Sequence, residues 1–159
     1  MADAATSLTG VDTRRLWHPR VVMFRLAIAA AAALFASPAL ADPCEAPVNG
    51  YKPGATVAGT IRYVGDGDGL CIGPGDDPLT WTEVRLADFF APELNEPGGR
   101  QAKAALDQFV GRRAVCTAQR GKNGSTRSYD RLIASCSIDG RSLAERLRQT
   151  GVAEGGRGR

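Results

Sequence analysis

The stretch Thr56–Ile72, TVAGTIRYVGDGDGLCI, decides the fold class. Val57, Ile61 and Tyr63 stand at even separations, the period of a strand that turns one face to a core. GDGDG at 65–69 then breaks the pattern with turn-forming residues, and LCI resumes it at 70–72. The reading is a hairpin-like pair of strands with carboxylates at the bend.

Working outward, GPGDDP at 73–78 makes the next turn and LTWTEVRLAD at 79–88 reads as a third strand. Within it Val84 and Leu86 face one way, Glu83 and Arg85 the other. After Pro92 the period changes: Ala102, Ala105, Leu106, Phe109 and Val110 fall at helical spacing, with Gly111 as the stop. RRAVCTA (112–118) and SYDRLIASCSI (128–138) read as strands four and five, joined by the basic QRGKNGSTR (119–127). A short helix closes the pattern, with Ser142 as N-cap, Glu145 three residues on and Gly151 at its end. Three strands, a helix, two strands and a helix predict a mainly β, α+β domain: a five-stranded OB-fold barrel with two appended helices. The domain is expected over residues 56–153, after a proline- and glycine-rich loop at 42–55 and before a disordered tail at 154–159.

Residues 1–41 read as a leader. Arg14, Arg15, Arg20 and Arg25 precede an apolar run from Leu26 to Ala36, and Ala39 and Ala41 form an A-x-A cleavage site. Met23 offers an alternative start, and Arg14-Arg15 hint at twin-arginine export. The run is too short to span a bilayer, so the expectation is an exported, periplasmic or secreted monomer with no stable membrane insertion.

Charge divides the rest unevenly. Residues 42–99 hold 3 basic and 10 acidic side chains and residues 100–159 hold 13 and 5, which sets an anion-binding half against a carboxylate-rich one. Two solvated faces would give the same count. Cys44, Cys71, Cys116 and Cys136 lack zinc-type spacing, and their even number in an exported chain predicts disulfides. Cys116 and Cys136 sit in segments that pair as antiparallel neighbours; Cys44 and Cys71 remain as a second bridge or as two buried thiols. The single histidine, His18, lies in the leader. Histidine-based nucleophilic or general-base catalysis is thereby excluded from the domain, leaving carboxylates, arginines, tyrosine or a metal.

VGDGDGL, VRLADFFAPE, SYDRLIA and SLAERLRQTGVA stand in the order and approximate spacing of the staphylococcal nuclease (thermonuclease) family, which the chain resembles from Val57 to about Ala153. The resemblance implies an OB-fold barrel and calcium-dependent cleavage of DNA or RNA. It implies Asp68 as metal ligand with Asp66 behind it, Arg85 and Arg131 as phosphate-binding arginines, Glu93 as general base or water-positioning group, and Tyr129 beside the nucleotide. Guanidinium forks match phosphate oxygens with paired donors, so the set is chemically coherent. Two positions depart from the pattern. Phe90 stands where the family has a second ligating aspartate, with Asp88 as a rescue only through a bent backbone or a water, and Gly69 replaces a threonine or serine. Taken without the resemblance, Arg85 and Arg131 are surface arginines paired with Glu83 or Asp130, Asp66 and Asp68 are turn residues, and Glu93 supports a helix start. The expected function is a metal-assisted phosphodiesterase acting on DNA or RNA. The alternatives are a catalytically impaired OB module that binds nucleic acid or another anionic partner, and an interaction domain using Arg141, Arg146 and Arg148.

Overall fold

A strand with one apolar face has to bury it, and five such strands here bury theirs against each other. The computed structural model describes residues 42–156. Strands β1 (Thr56–Val64), β2 (Gly69–Gly73), β3 (Thr82–Leu86), β4 (Arg113–Ala118) and β6 (Arg131–Ile138) form the sheet, with α1 (Gly99–Asp107) between β3 and β4. Two-residue strands β5 (Arg127–Ser128) and β7 (Arg141–Ser142) flank β6, and α2 (Leu143–Gln149) follows. The order is β3-β2-β1-β4-β6, and β6 pairs back onto β3 in parallel while the other pairs are antiparallel. Closure leaves these five strands no bare edge to attract another chain. The architecture is the expected mainly β barrel with two helices.

Ile61, Val64, Leu70, Ile72, Val84, Leu86, Leu132 and Ala134 fill the barrel, and Leu106 of α1 with Leu143 and Leu147 of α2 join the same core. Cys116 and Cys136 are register partners across β4 and β6 and form one disulfide; Cys44 and Cys71 form the other. The second bridge ties the segment before β1 onto β2, and an Ala46–Thr82 bridge lays that segment beside β3.

Several local expectations are corrected. Arg62 is an extra residue between the pairs Ile61–Ile72 and Tyr63–Cys71, a bulge that reverses the alternation, so Val64 and not Tyr63 enters the core. The third strand starts at Thr82, because Asp77 caps a 3-10 turn at Pro78–Thr80. The helix α1 ends at Asp107, and Val110 is exposed in the turn toward Gly111. SYDR is not continuous strand: Tyr129 and Asp130 form the two-residue loop of the β5–β6 hairpin. Of the expected tail, residues 154–156 are packed in place, with the Gly155 N–H donating to the Phe90 carbonyl at 2.9 Å and Glu154 pairing with Arg148 at 2.6 Å. Ser142 caps α2 as expected, accepting from the Glu145 N–H. The leader lies outside the described residues, and among the described residues no helix is long and apolar enough to cross a membrane.

Candidate functional site at the barrel mouth

The GDGDG bend is built so that one carboxylate goes inward. Asp66 Oδ1 accepts the Asp68 N–H at 3.1 Å, an Asx-type turn that fixes the loop. Gly67 is packed so closely that a Cβ would lie 2.4 Å from that of Ala91 and 2.6 Å from that of Ala102, which anchors the bend on α1. At Gly69 a Cβ would stand 2.8 Å from Asp66 Oδ1, so the small residue leaves room for that carboxylate. Asp68 is thereby driven to 2% exposure.

Its partners are protein groups. Asp68 Oδ2 lies 3.1 Å from Arg85 Nη2 and accepts the Ala91 N–H at 3.1 Å. Burial, opposed by Arg85 and reinforced by Asp66, leaves its pKa raised to about 6 even with the lowering pull of the Ala91 N–H and Arg131. Arg85 and Arg131 therefore both act on Asp68 from the paired strands β3 and β6. Arg131 Nε is also 3.9 Å from Glu83 Oε1. That is one of the plain ion-pair partners foreseen for an arginine here, whereas Arg85 pairs with Asp68.

Two hollows open beside these arginines. The first, about 350 Å³, is lined by Arg131 and by four carboxylates, Asp42, Asp66, Glu83 and Asp130, with Tyr63, Tyr129 and the Cys44–Cys71 bridge in its walls. Burial, with Asp42 and Asp130 adding to it and Arg131 offsetting part, leaves the Glu83 pKa raised to about 7. The second, about 340 Å³, is lined by Arg85, Arg120 and Lys122, with Leu86, Phe90 and Ile133 among its apolar groups and no carboxylate. The β5–β6 hairpin supplies both: Ser128 lines the second hollow, Tyr129 and Asp130 the first. Tyr129 holds a left-handed φ of 58° while its side chain is exposed, a conformation uncommon outside glycine, asparagine and aspartate.

The remaining sequence candidates are placed elsewhere. Glu93 lies between β3 and α1, its N–H donates to Glu96 Oε2, and it lines neither hollow and makes no ion pair among the described residues. Asp88 is held in the company of α2. Its carbonyl accepts from Arg148, and its pKa is raised by burial and lowered by Arg148 and a hydrogen bond with Ser135. It groups with Arg148 and not with Asp68. Phe89 is fully buried, while its neighbour Phe90 is half-buried in the second hollow. In α2 Arg148 is engaged by Glu154 and Arg146 donates to the Ile138 carbonyl, whereas Arg141, expected in the same basic helix, lies in β7 and makes no ion pair among the described residues.

Calcium takes six to eight oxygen ligands, and the side chains around Asp68 do not fit that need. Position 90 is a phenyl ring, the inner oxygen of Asp68 already faces a guanidinium, and Asp68 joins no group of three converging donors among the described residues. Among the described residues the only such group is Asp42, Cys44 and Cys71, and its two sulfurs are bonded to each other.

Arg120 and Lys122 had no assigned role in the sequence reading, Glu83 only that of an ion-pair partner, and Phe90 only that of a missing metal ligand. The alternation that put Glu83 beside Arg85 on the outer face carried a signal for Glu83, and the basic loop carried one for Arg120 and Lys122. No protein-family model and no curated protein matches this chain.

Proposed function

We propose that this chain is a nuclease-like OB-barrel protein that binds the phosphodiester backbone of nucleic acid at the barrel mouth, with Arg85 and Arg131 as its phosphate-binding groups. One observation carries the reading: guanidinium groups from two neighbouring strands act on a single buried carboxylate, so two cations are held at one mouth with side chains 19% and 22% exposed. Asp68 holds Arg85 through Nη2 at 3.1 Å, and a guanidinium fork has further donors to offer an anion. The four motifs that resemble the staphylococcal nuclease family support the same substrate class. Two disulfides fit an oxidising compartment and with it the proposed export.

The test is anisotropy of labelled single-stranded oligonucleotides with the full chain over a range of salt. Affinity is expected to fall as salt rises, and the Arg85→Ala/Arg131→Ala pair is expected to weaken binding at least tenfold. Equal affinity in that pair removes the reading.

Glu83 favours hydrolysis as a second reading. A carboxylate with pKa about 7 beside Arg131 is suited to take a proton from water near neutral pH, and the guanidinium is suited to stabilise charge on the phosphate. Cleavage of the labelled strand that disappears in Glu83→Gln supports it; intact strand after prolonged incubation, with and without added divalent ions, leaves binding alone.

A further inference from the structure

The peptide group between Phe90 and Ala91 is gripped at both ends. Its carbonyl and N–H lie in one rigid plane, so neither turns without the other. The Ala91 N–H donates inward to Asp68 Oδ2 at 3.1 Å, and that same oxygen stands 3.1 Å from Arg85 Nη2. The Phe90 carbonyl accepts the Gly155 N–H at 2.9 Å. Residues 154–156 therefore hold one end of a planar unit whose other end holds the carboxylate beside Arg85. Asp68 and Ala91 are both buried, so a turned peptide takes from the Asp68 carboxylate a donor that water does not replace.

Residues 154–156 are themselves held from α2 and from the β3–α1 segment. Arg148 of α2 pairs with Glu154 at 2.6 Å, donates to the Asp88 carbonyl and stands 5.9 Å from the centroid of the Phe89 ring. Gly155 lies against Pro92, where a Cβ would come within 3.2 Å of the ring. Gly156 has a left-handed φ of 82° and a Cβ there would overlap the Ala91 carbonyl oxygen, so this position accepts glycine alone. None of the three residues lines either hollow. We propose that residues 154–156 form a strap that sets the grip of the anion site from outside it: by fixing the Phe90–Ala91 peptide they hold Asp68 against Arg85, which makes Glu154, Gly155 and Gly156 positioning residues. A guanidinium already held by a fixed carboxylate loses less side-chain freedom when an anion arrives. The consequence for binding rests on the phosphate reading above; the hold on the peptide does not.

Two readouts on the full chain separate these parts: hydrogen exchange of the Ala91 amide by NMR, and anisotropy of the labelled single-stranded oligonucleotide. The Ile61 N–H, bonded to the Arg112 carbonyl at 2.9 Å, reports global opening. Gly156→Ala is expected to speed Ala91 exchange about tenfold with Ile61 unchanged, and to weaken oligonucleotide binding about fivefold, the scale of one net hydrogen bond. Glu154→Ala is expected to move both readouts the same way, and Glu154→Gln, which still accepts from Arg148, to restore them. Gly140→Ala is the control for backbone strain: Gly140 has a φ of 72° with nothing within 4 Å of an added Cβ, and both readouts are expected to stay at the wild-type level. If Gly156→Ala does not fold, Glu154→Ala carries both readouts. Ala91 exchange that does not rise in these variants, or rises only in step with Ile61, overturns the strap. Faster Ala91 exchange with undiminished binding, while Arg85→Ala/Arg131→Ala loses it, overturns the positioning role and leaves the phosphate reading standing. Absence of binding by wild-type protein overturns the phosphate reading and the positioning role together.

Discussion

The two hollows at the barrel mouth share a hairpin and nearly the same volume, yet their chemistry is opposite. One gathers Asp42, Asp66, Glu83 and Asp130 around Arg131; the other gathers Arg85, Arg120 and Lys122 over an apolar floor. The difference comes from which segments reach each side. The acidic first half of the chain supplies Asp42, Asp66 and Glu83, and the basic β4–β5 loop supplies Arg120 and Lys122. Proximity to a barrel mouth thus says little about a ligand until the sign of the charge around it is known.

The largest expected effect comes from removing the group that ties the mouth together. Arg85→Ala leaves Asp68 buried without its guanidinium, and losing one partner of a buried pair costs ~3–5 kcal/mol, less here because Arg85 is 19% exposed. A loss of about 3 kcal/mol in urea unfolding at pH 7.5 is expected. At pH 4.5, where Asp68 is protonated with or without Arg85, the loss shrinks. An equal loss at both values would detach Asp68 from the effect.

Next comes the bridge that belongs to one hollow alone. Replacing Cys44 and Cys71 together by alanine opens a loop with a sequence separation of 27 and is expected to cost about 2–3 kcal/mol. It also frees Asp42 from the first hollow, so the Glu83 pKa falls from about 7 toward its ordinary range, as read by NMR titration. Single-strand binding through Arg85 and Arg131 stays unchanged. A fall in that binding would show that the bridge also supports the phosphate site.

Glu83→Gln probes the acidic side more gently. Glu83 has a folded-state pKa above its ordinary 4.5, so its contribution to stability is present below about pH 4.5 and is lost as pH rises through about 7. The wild-type protein is expected to lose roughly 1–2 kcal/mol across that window relative to the glutamine variant, after allowance for solvent screening. Parallel pH profiles would show that Glu83 does not titrate in this range. The smallest effect on stability is expected on the basic side: Arg120→Ala and Lys122→Ala each shift unfolding by no more than about 0.5 kcal/mol. Each should also reduce the slope of log affinity against log salt by about 0.7 if it meets a single-strand phosphate.

The barrel was readable because period-2 runs and punctuating glycines and prolines carry fold information locally. Val84 and Leu86 inside, Glu83 and Arg85 outside, and the Ser142 cap all follow from spacing alone. The failures have equally local causes. The bulge at Arg62 depends on pairing with β2, which spacing within one strand does not reveal. The hairpin at Tyr129 depends on a backbone conformation that tyrosine rarely adopts. The site was less legible, since its parts meet only in three dimensions. That Arg85 would face Asp68, that Asp88 would turn to Arg148, and that Phe90 would enter a cationic hollow while Phe89 entered the core all depend on where the β3–α1 segment is pinned. The Asp68, Arg148 and Gly155 contacts do the pinning.

The most direct test of the account is a salt titration of single-strand affinity in excess chelator and again in excess calcium, for wild-type protein and Arg85→Ala/Arg131→Ala. The account predicts the same wild-type affinity in both solutions, a negative salt slope, and loss of binding in the double variant. Binding that appears only with calcium, or that survives replacement of both arginines, would contradict it.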